Sequence, residues 1–204
     1  RPSMNKALCG NRDFILCHSF WEILDVIRAQ LRCSGNNVCV IPIGAQGAGK
    51  STLGKYLSRN LSETVVISLD ELRLGLYEEC HRGETADYTS LEGFLDRRCE
   101  NIVRKRALDI FRSGSFRVKY IDKMNLTSRS RRPFLLEDNV NIAVVFDVPL
   151  EALLLMHGKR SDKRAVIEEG FVKRSFYSLQ LPHENEFDLV IRYMPDLPVM
   201  KVGE

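Results

Sequence analysis

The chain is predicted to be an α/β protein, with a mostly parallel sheet of five strands and helices on both faces. Two observations predict it. Short runs rich in Val and Ile alternate with amphipathic helical stretches, the order that builds a parallel sheet covered on both sides. The first strong run is also followed at once by a glycine-rich loop and a second helical pattern.

The elements follow in order. Residues 13–32 carry an apolar stripe at helical spacing (Phe14, Cys17, Trp21, Leu24, Ile27, Leu31), and Gly35-Asn36-Asn37 ends it. Residues 1–37 are therefore expected to be a helical N-terminal extension packed on a main domain of residues 38–204. Strands are expected at residues 38–43, 65–69, 116–121, 142–146 and 187–193. A helix is expected from Gly49 to about Asn60, and another over residues 165–179. A long amphipathic helix should start near Thr89, which has capping-box spacing to Glu92, and should bury Leu91, Phe94, Leu95, Ile102, Val103, Leu108 and Phe111. There is no repeat, low-complexity tract or Pro/Gly/Ser linker.

Composition sets the outer bounds. The 204 residues suit one domain, and 44% hydrophobic with 28% charged residues is a globular balance that argues against wholesale disorder. No apolar run approaches the roughly 20 residues of a membrane span, and the opening residues show no signal-peptide pattern. The six cysteines (Cys9, Cys17, Cys33, Cys39, Cys80, Cys99) form no Cys-x-x-Cys pair and have no zinc-finger spacing to His. Reduced, mostly buried thiols in a cytoplasmic or nuclear compartment are the expectation.

Gly44-Ala45-Gln46-Gly47-Ala48-Gly49-Lys50-Ser51 matches the phosphate-loop pattern G-x-x-x-x-G-K-[ST] at every fixed position, between a strand and a helix. Glycines allow backbone N–H groups to gather around phosphate oxygens, and the helix contributes its positive end. Lys50 supplies a charge for the β- and γ-phosphates and Ser51 a hydroxyl for Mg²⁺. A guanine-reading Asn-Lys-x-Asp is absent, and the chain is small for a mechanical ATPase. A phosphotransferase using ATP or GTP remains, and it needs an acceptor hydroxyl in line with the γ-phosphate.

Asp70 and Arg73 stand just past the second expected strand, at the sheet end where α/β ligands bind. The carboxylate can take a proton from an acceptor hydroxyl, and the arginine can grip an acceptor phosphate bidentately. The same pair also fits a helix N-cap aspartate with a solvated arginine. Asp122, at the end of the third strand, can hold Mg²⁺ through water, buttress the phosphate loop, or simply form a turn. Lys159 to Arg164 places four cations in six residues. Arg160 and Arg164 are candidates for a basic lid, at about residues 157–166, that closes over the donor. Residues 97–133 hold twelve Lys/Arg against three acids, a net +9 that leaves the rest of the chain at −6. Such a block suggests a polyanionic partner, though some of it must be an exposed helix face.

With these pieces in order, the chain resembles the P-loop polynucleotide 5′-hydroxyl kinase family, which includes phage polynucleotide kinases and kinase domains of RNA-repair and tRNA-ligase polypeptides. The likeness runs over residues 38–193, through Gly44 to Thr52, Asp70-x-x-Arg73, Ile121-Asp122-Lys123-Met124-Asn125-Leu126 with Arg132, and Val145-Phe146-Asp147-Val148-Pro149. Met124 departs from the family's usual threonine. The resemblance implies transfer of an NTP γ-phosphate to 5′-OH ends of RNA or DNA, with Mg²⁺, possible ligase or phosphatase partners, and no membrane. It implies that Asp70 is the general base and that Arg73 binds the acceptor's 3′-phosphate beside Asp122 and Asn125. Lys50 and Arg164 would stabilise the γ-phosphoryl, and Gly44, Gln46, Gly47, Ala48, Gly49, Ser51, Thr52 and Arg160 would bind the NTP. Two rivals share the outline: a small-metabolite P-loop kinase, and a nucleotide-binding module without chemistry inside a larger protein.

Overall fold

The structure is a computed structural model and describes residues 14–197 apart from Gly83 and Lys163. Six parallel strands form one sheet in the order β1-β6-β5-β2-β4-β3: β1 Ile15–Cys17, β2 Val38–Ile43, β3 Thr64–Ser68, β4 Val118–Asp122, β5 Val140–Phe146 and β6 Leu189–Tyr193. The helices are α1 Phe20–Ser34, α2 Lys50–Asn60, α3 Leu69–Cys80, α4 Arg97–Arg112, the single turn α5 Ser128–Arg131, α6 Leu150–Gly158 and α7 Glu169–Tyr177.

β2 and β5 lie in the middle and are buried along their whole length, so their apolar runs are continuous rather than alternating. Each still feeds two cores by the period of two. Val38, Val40, Ile142 and Val144 face α1, α2, α6 and α7, where they meet Ile23, Ile27, Leu53, Leu57, Leu153 and Val172. Cys39, Ile41, Ile43, Ala143 and Val145 face α4, where Ala107 and Phe111 wait with Phe134.

The expected sheet of five strands is corrected to six, because Ile15–Cys17 pairs with β6. Three residues are too few to show a period of two, and Cys17 happened to fit the helical stripe. Residues 1–37 are thus not purely helical. α1 begins at Phe20 with Ser19 as its cap, in a capping box with Glu22. It buries Ile23, Leu24 and Ile27, while Trp21 is 59% exposed. Asp13 and Cys9 lie outside the described residues. The capping box expected at Thr89 does not form: residues 88–94 are turns, and α4 starts after Asp96, whose carboxylate accepts from Cys99 N–H at 2.7 Å. Cys17 and Cys39 are buried, but Cys33 and Cys80 are exposed, so the thiols are not mostly buried.

Beyond β4 the chain makes a tight turn, with Asn125 at φ 52°, and the fully buried Arg131 holds that turn. Its guanidinium donates to the Asn125 and Gln180 carbonyls at 2.9 and 3.0 Å and pairs with both Glu186 carboxylate oxygens at 2.7 and 3.0 Å. Arg132, which the resemblance had singled out, is exposed. A buried charge stripped of its partner is costly. Glu186→Ala should therefore lower unfolding stability by about 3–5 kcal/mol, measured by urea denaturation. Arg131→Met with Glu186→Leu should recover much of that loss, because apolar replacement of a buried pair is often near neutral.

Candidate active site

The phosphate loop joins β2 to α2 between β4 and β5. Gly47 and Gly49 have φ of 84° and 106°, a region that residues with a Cβ seldom adopt. Gly49 is the N-cap of α2 and no side chain caps that helix, so its first N–H groups stay available to an anion. Three neighbours fix the loop. Gly44 N–H donates to the Met124 carbonyl at 3.2 Å, Gln46 N–H donates to Ser175 Oγ at 3.0 Å, and Tyr120 OH donates to the Lys50 carbonyl at 2.6 Å.

A cavity of about 350 Å³ above the loop is lined by Gln46, Gly47, Ala48, Gly49, Lys50, Ser51 and Thr52, with Asp70, Asp122, Arg160 and Arg164 around them. Of the expected donor-site residues only Gly44 does not line it; it lies at the loop's base. Lys50 is buried and donates to the Ala45 carbonyl. Burial, with Arg164 and Arg160 nearby, pushes its ammonium down to about 7, against the pull of Asp122 and Asp70. Ser51 Oγ donates to Asp122 Oδ1 at 3.1 Å and accepts from Arg164 Nη2 at 3.0 Å. Burial raises the Asp122 carboxyl above its ordinary value, which Ser51, Arg164 and Lys50 partly offset. Among the described residues no group of three or more His, Cys, Asp or Glu could hold a metal. A hydroxyl and one carboxylate side by side nevertheless suit Mg²⁺, which takes few protein oxygens and completes its shell with water and phosphate.

A second cavity of about 760 Å³ adjoins the first, and Gln46, Asp70, Asp122, Lys123 and Met124 line both. Asp70 is not the helix cap, since Ser68 caps α3 by accepting from Glu71 N–H at 3.2 Å. Its carboxylate instead accepts from Arg73 Nη1 at 2.8 Å and from Tyr88 OH at 3.0 Å. Arg73 lines the second cavity, but its fork is occupied by Glu100, at 2.9 and 3.1 Å. The Asn125 side chain is buried, with its amide nitrogen on the carbonyls of Pro42, Ile121 and Lys123, so it braces the turn, and the residue also lines the second cavity.

The segment expected to be a lid is irregular and lies between α6 and α7, where His157 Nε2 meets the Ile167 carbonyl at 2.7 Å. Arg160 pairs with Asp162 at 3.1 Å, and Lys163 lies outside the described residues. Arg164 reaches Ser51 and also donates to Tyr88 OH at 3.4 Å. Tyr88 thus bridges Asp70 and the lid, and burial beside Asp70 pushes its phenol up to about 12, keeping it a donor. Tyr88 and Glu100 went unread in the sequence. Tyr88 sits in an irregular stretch without periodicity, and Glu100 looked like one more charge on a helix face.

A family model described as an AAA domain matches residues 40–176, from β2 to the end of α7, which spans the donor loop, Asp70, Asp122 and the lid. The chain belongs to the AAA domain family. Solved structures agree on the fold of this AAA domain. A chain of the Pnkp1/Rnl/Hen1 RNA repair complex is 20% identical at a TM-score of 0.53, over 71% of this chain and 44% of that one. A candidate kinase of Chloroflexus aurantiacus j-10-fl is 13% identical at 0.51, over 78% and 85%. A gluconokinase of Sinorhizobium meliloti 1021 is 12% identical at 0.46, over 76% and 82%. The AAA domain therefore has a P-loop kinase fold and spans less than half of the repair-complex chain it matches. Curated protein sequences contain no match. No helix among the described residues is long and apolar enough to cross a membrane.

Lys50 yields a direct test of the donor site. A bound polyphosphate stabilises the ammonium and raises its pKa from about 7 back toward the ordinary lysine range. Nucleotide binding should then take up close to one proton at pH 8.5 and almost none at pH 6, where Lys50 is already charged. Titration calorimetry in buffers of different ionisation enthalpy measures this. Equal uptake at both pH values would remove Lys50 from the site.

Proposed function

We propose that this chain transfers the γ-phosphate of ATP or GTP to the 5′-OH end of a polynucleotide. The observation that carries the proposal is the position of Asp70, at the seam where a donor cavity of about 350 Å³ opens into a larger one of about 760 Å³. A carboxylate there meets a hydroxyl entering from one side and a γ-phosphate held on the other.

The donor binds with its phosphates on the uncapped N–H groups of α2 and on Lys50. Ser51, with Asp122 beside it, would hold Mg²⁺, which neutralises charge on the β- and γ-phosphate oxygens. Asp70 takes the proton as the 5′-oxygen bonds to the γ-phosphorus and the bond to the β-phosphate oxygen breaks, releasing the nucleoside diphosphate. Arg164 turns from Ser51 toward the charge building on the transferring group, a kind of contribution that is typically about 10³–10⁵ in rate. Arg73, bonded to both Asp70 and Glu100, orients the base, and it reaches an acceptor phosphate only by releasing Glu100. Asn125 and Gly44 shape the turn and loop around these groups. The similarity to a chain of the Pnkp1/Rnl/Hen1 RNA repair complex favours RNA as acceptor, and the chain would act in a reducing compartment with a ligase or phosphatase as a fused or separate partner.

The test is incubation with γ-labelled ATP or GTP and 5′-OH oligonucleotides of RNA and DNA. Label should appear on the 5′ end. Label on a small sugar or other metabolite but on no oligonucleotide would favour the small-metabolite kinase, and tight NTP binding with no transfer would favour a module without chemistry. Asp70→Asn keeps the shape but cannot take the proton, so the rate should fall about 10²-fold or more with nucleotide affinity unchanged. Full activity in that variant would move the base elsewhere.

Tyr88→Phe removes the bond from the phenol to Asp70 and its link to Arg164 while retaining the ring. Turnover should fall roughly tenfold, the value of a hydrogen bond to a charged group, while nucleotide affinity stays unchanged. Wild-type turnover would reduce Tyr88 to packing.

A further inference from the structure

The charge of residues 97–133 is not spread evenly. Lys119 and Arg131 are buried, and Arg106 pairs with Glu79 at 2.8 and 2.9 Å. Arg73, the obvious acceptor anchor, is already neutralised by two carboxylates. Three of the remaining cations gather elsewhere. A groove of about 440 Å³ runs between α4 and the chain after β4, with Arg104, Lys123 and Arg129 on its walls and Leu69, Leu108 and Phe134 among its apolar surfaces. Leu69, Lys123, Thr127 and Ser130 line both this groove and the acceptor cavity, so the two share a wall. Lys123 donates to the Ser130 carbonyl at 3.0 Å and lies over the Phe134 ring. Among the described residues none of the three cations forms an ion pair. Converging cations without a counter-charge, beside a reaction cleft, are what an anionic ligand would relieve.

We propose that Arg104, Lys123 and Arg129 form a second acceptor subsite that binds a backbone phosphate of the nucleic acid strand downstream of its reacting 5′-OH end. This rests on the polynucleotide reading above and specifies how that substrate is held. The strand enters the cavity at Asp70, passes Leu69 and Thr127, and lays an internal phosphodiester between α4 and the turn after β4. Thr127 and Ser130 offer hydroxyls along the shared wall. The groove selects for length, because a single nucleotide has no phosphate that far from its 5′ end.

The experiment uses the full chain with 5′-OH tetranucleotides, either all-phosphodiester or with one linkage at a time replaced by an uncharged methylphosphonate. For the native tetranucleotide, Arg104→Gln with Arg129→Gln should raise KM about tenfold and flatten its dependence on salt, as loss of phosphate contacts does. Lys105→Gln removes one positive charge from α4 outside the groove and should shift KM little. One methylphosphonate position should raise KM in wild type and add nothing further in the double variant. Circular dichroism confirms that the variants fold. If the oligonucleotide is phosphorylated but the double variant keeps the wild-type KM and salt slope, or no linkage is sensitive, the groove is not a subsite and the kinase reading stands. If no oligonucleotide accepts phosphate at all, both readings fall.

Discussion

Arg131 and Glu186 form a buried ion pair on which the geometry of the cleft depends. Their contact closes the turn after β4 by holding the Asn125 carbonyl, and Asn125 in turn ties its own amide to the Pro42 carbonyl at the end of β2. Met124, in the same turn, accepts the N–H of Gly44. The phosphate loop therefore leaves β2 against a backbone that a buried guanidinium has already set. Such a pair contributes little net stability once desolvation is counted. What it contributes is position, since the guanidinium bonds Glu186, Asn125 and Gln180 at once.

The cleft's electrostatics divide between pairs that are complete and groups that are not. Arg73, Asp70 and Glu100 satisfy one another. Lys50 and Lys123 are held below their ordinary pKa values by burial and by neighbouring arginines. Both sit in cavities, one over the donor loop and one on the acceptor side. A cation kept uncomfortable by its surroundings gains most when an anion arrives, so the same desolvation that opposes its charge makes it a sensitive phosphate ligand.

How far the sequence was legible depends on whether a residue acts through a local pattern or through the fold. The donor loop was readable because all of its working parts lie within eight consecutive residues, and β2 to β6 because their apolar runs are long enough to count. β1 escaped because three residues carry no period. The start of α4 was placed too early, since Leu91 is buried and Phe94 half-buried by turns rather than by a helix. Asp70 was located correctly at the sheet end, but its partners could not be: Glu100 is 30 residues away, and Tyr88 lies in a segment with no regular structure. Arg131 and Arg132 are adjacent and chemically identical, and only the packing of Glu186 against one of them decides which is buried.

The lid links the two halves of the site through a single side chain. Arg164 bonds Ser51, on the donor side, and Tyr88, whose hydroxyl bonds Asp70 on the acceptor side. Under the proposed chemistry, Ser51 Oγ must turn toward Mg²⁺, so Arg164 cannot keep that contact when donor and ion bind. Its pull on Tyr88 then changes as well, and with it the donor that Asp70 feels. Under the same proposed chemistry, occupancy of the donor loop would reach Asp70 through one arginine and one phenol. The irregular stretch between α3 and α4 thus carries the one hydroxyl that touches both Asp70 and Arg164 among the contacts described above.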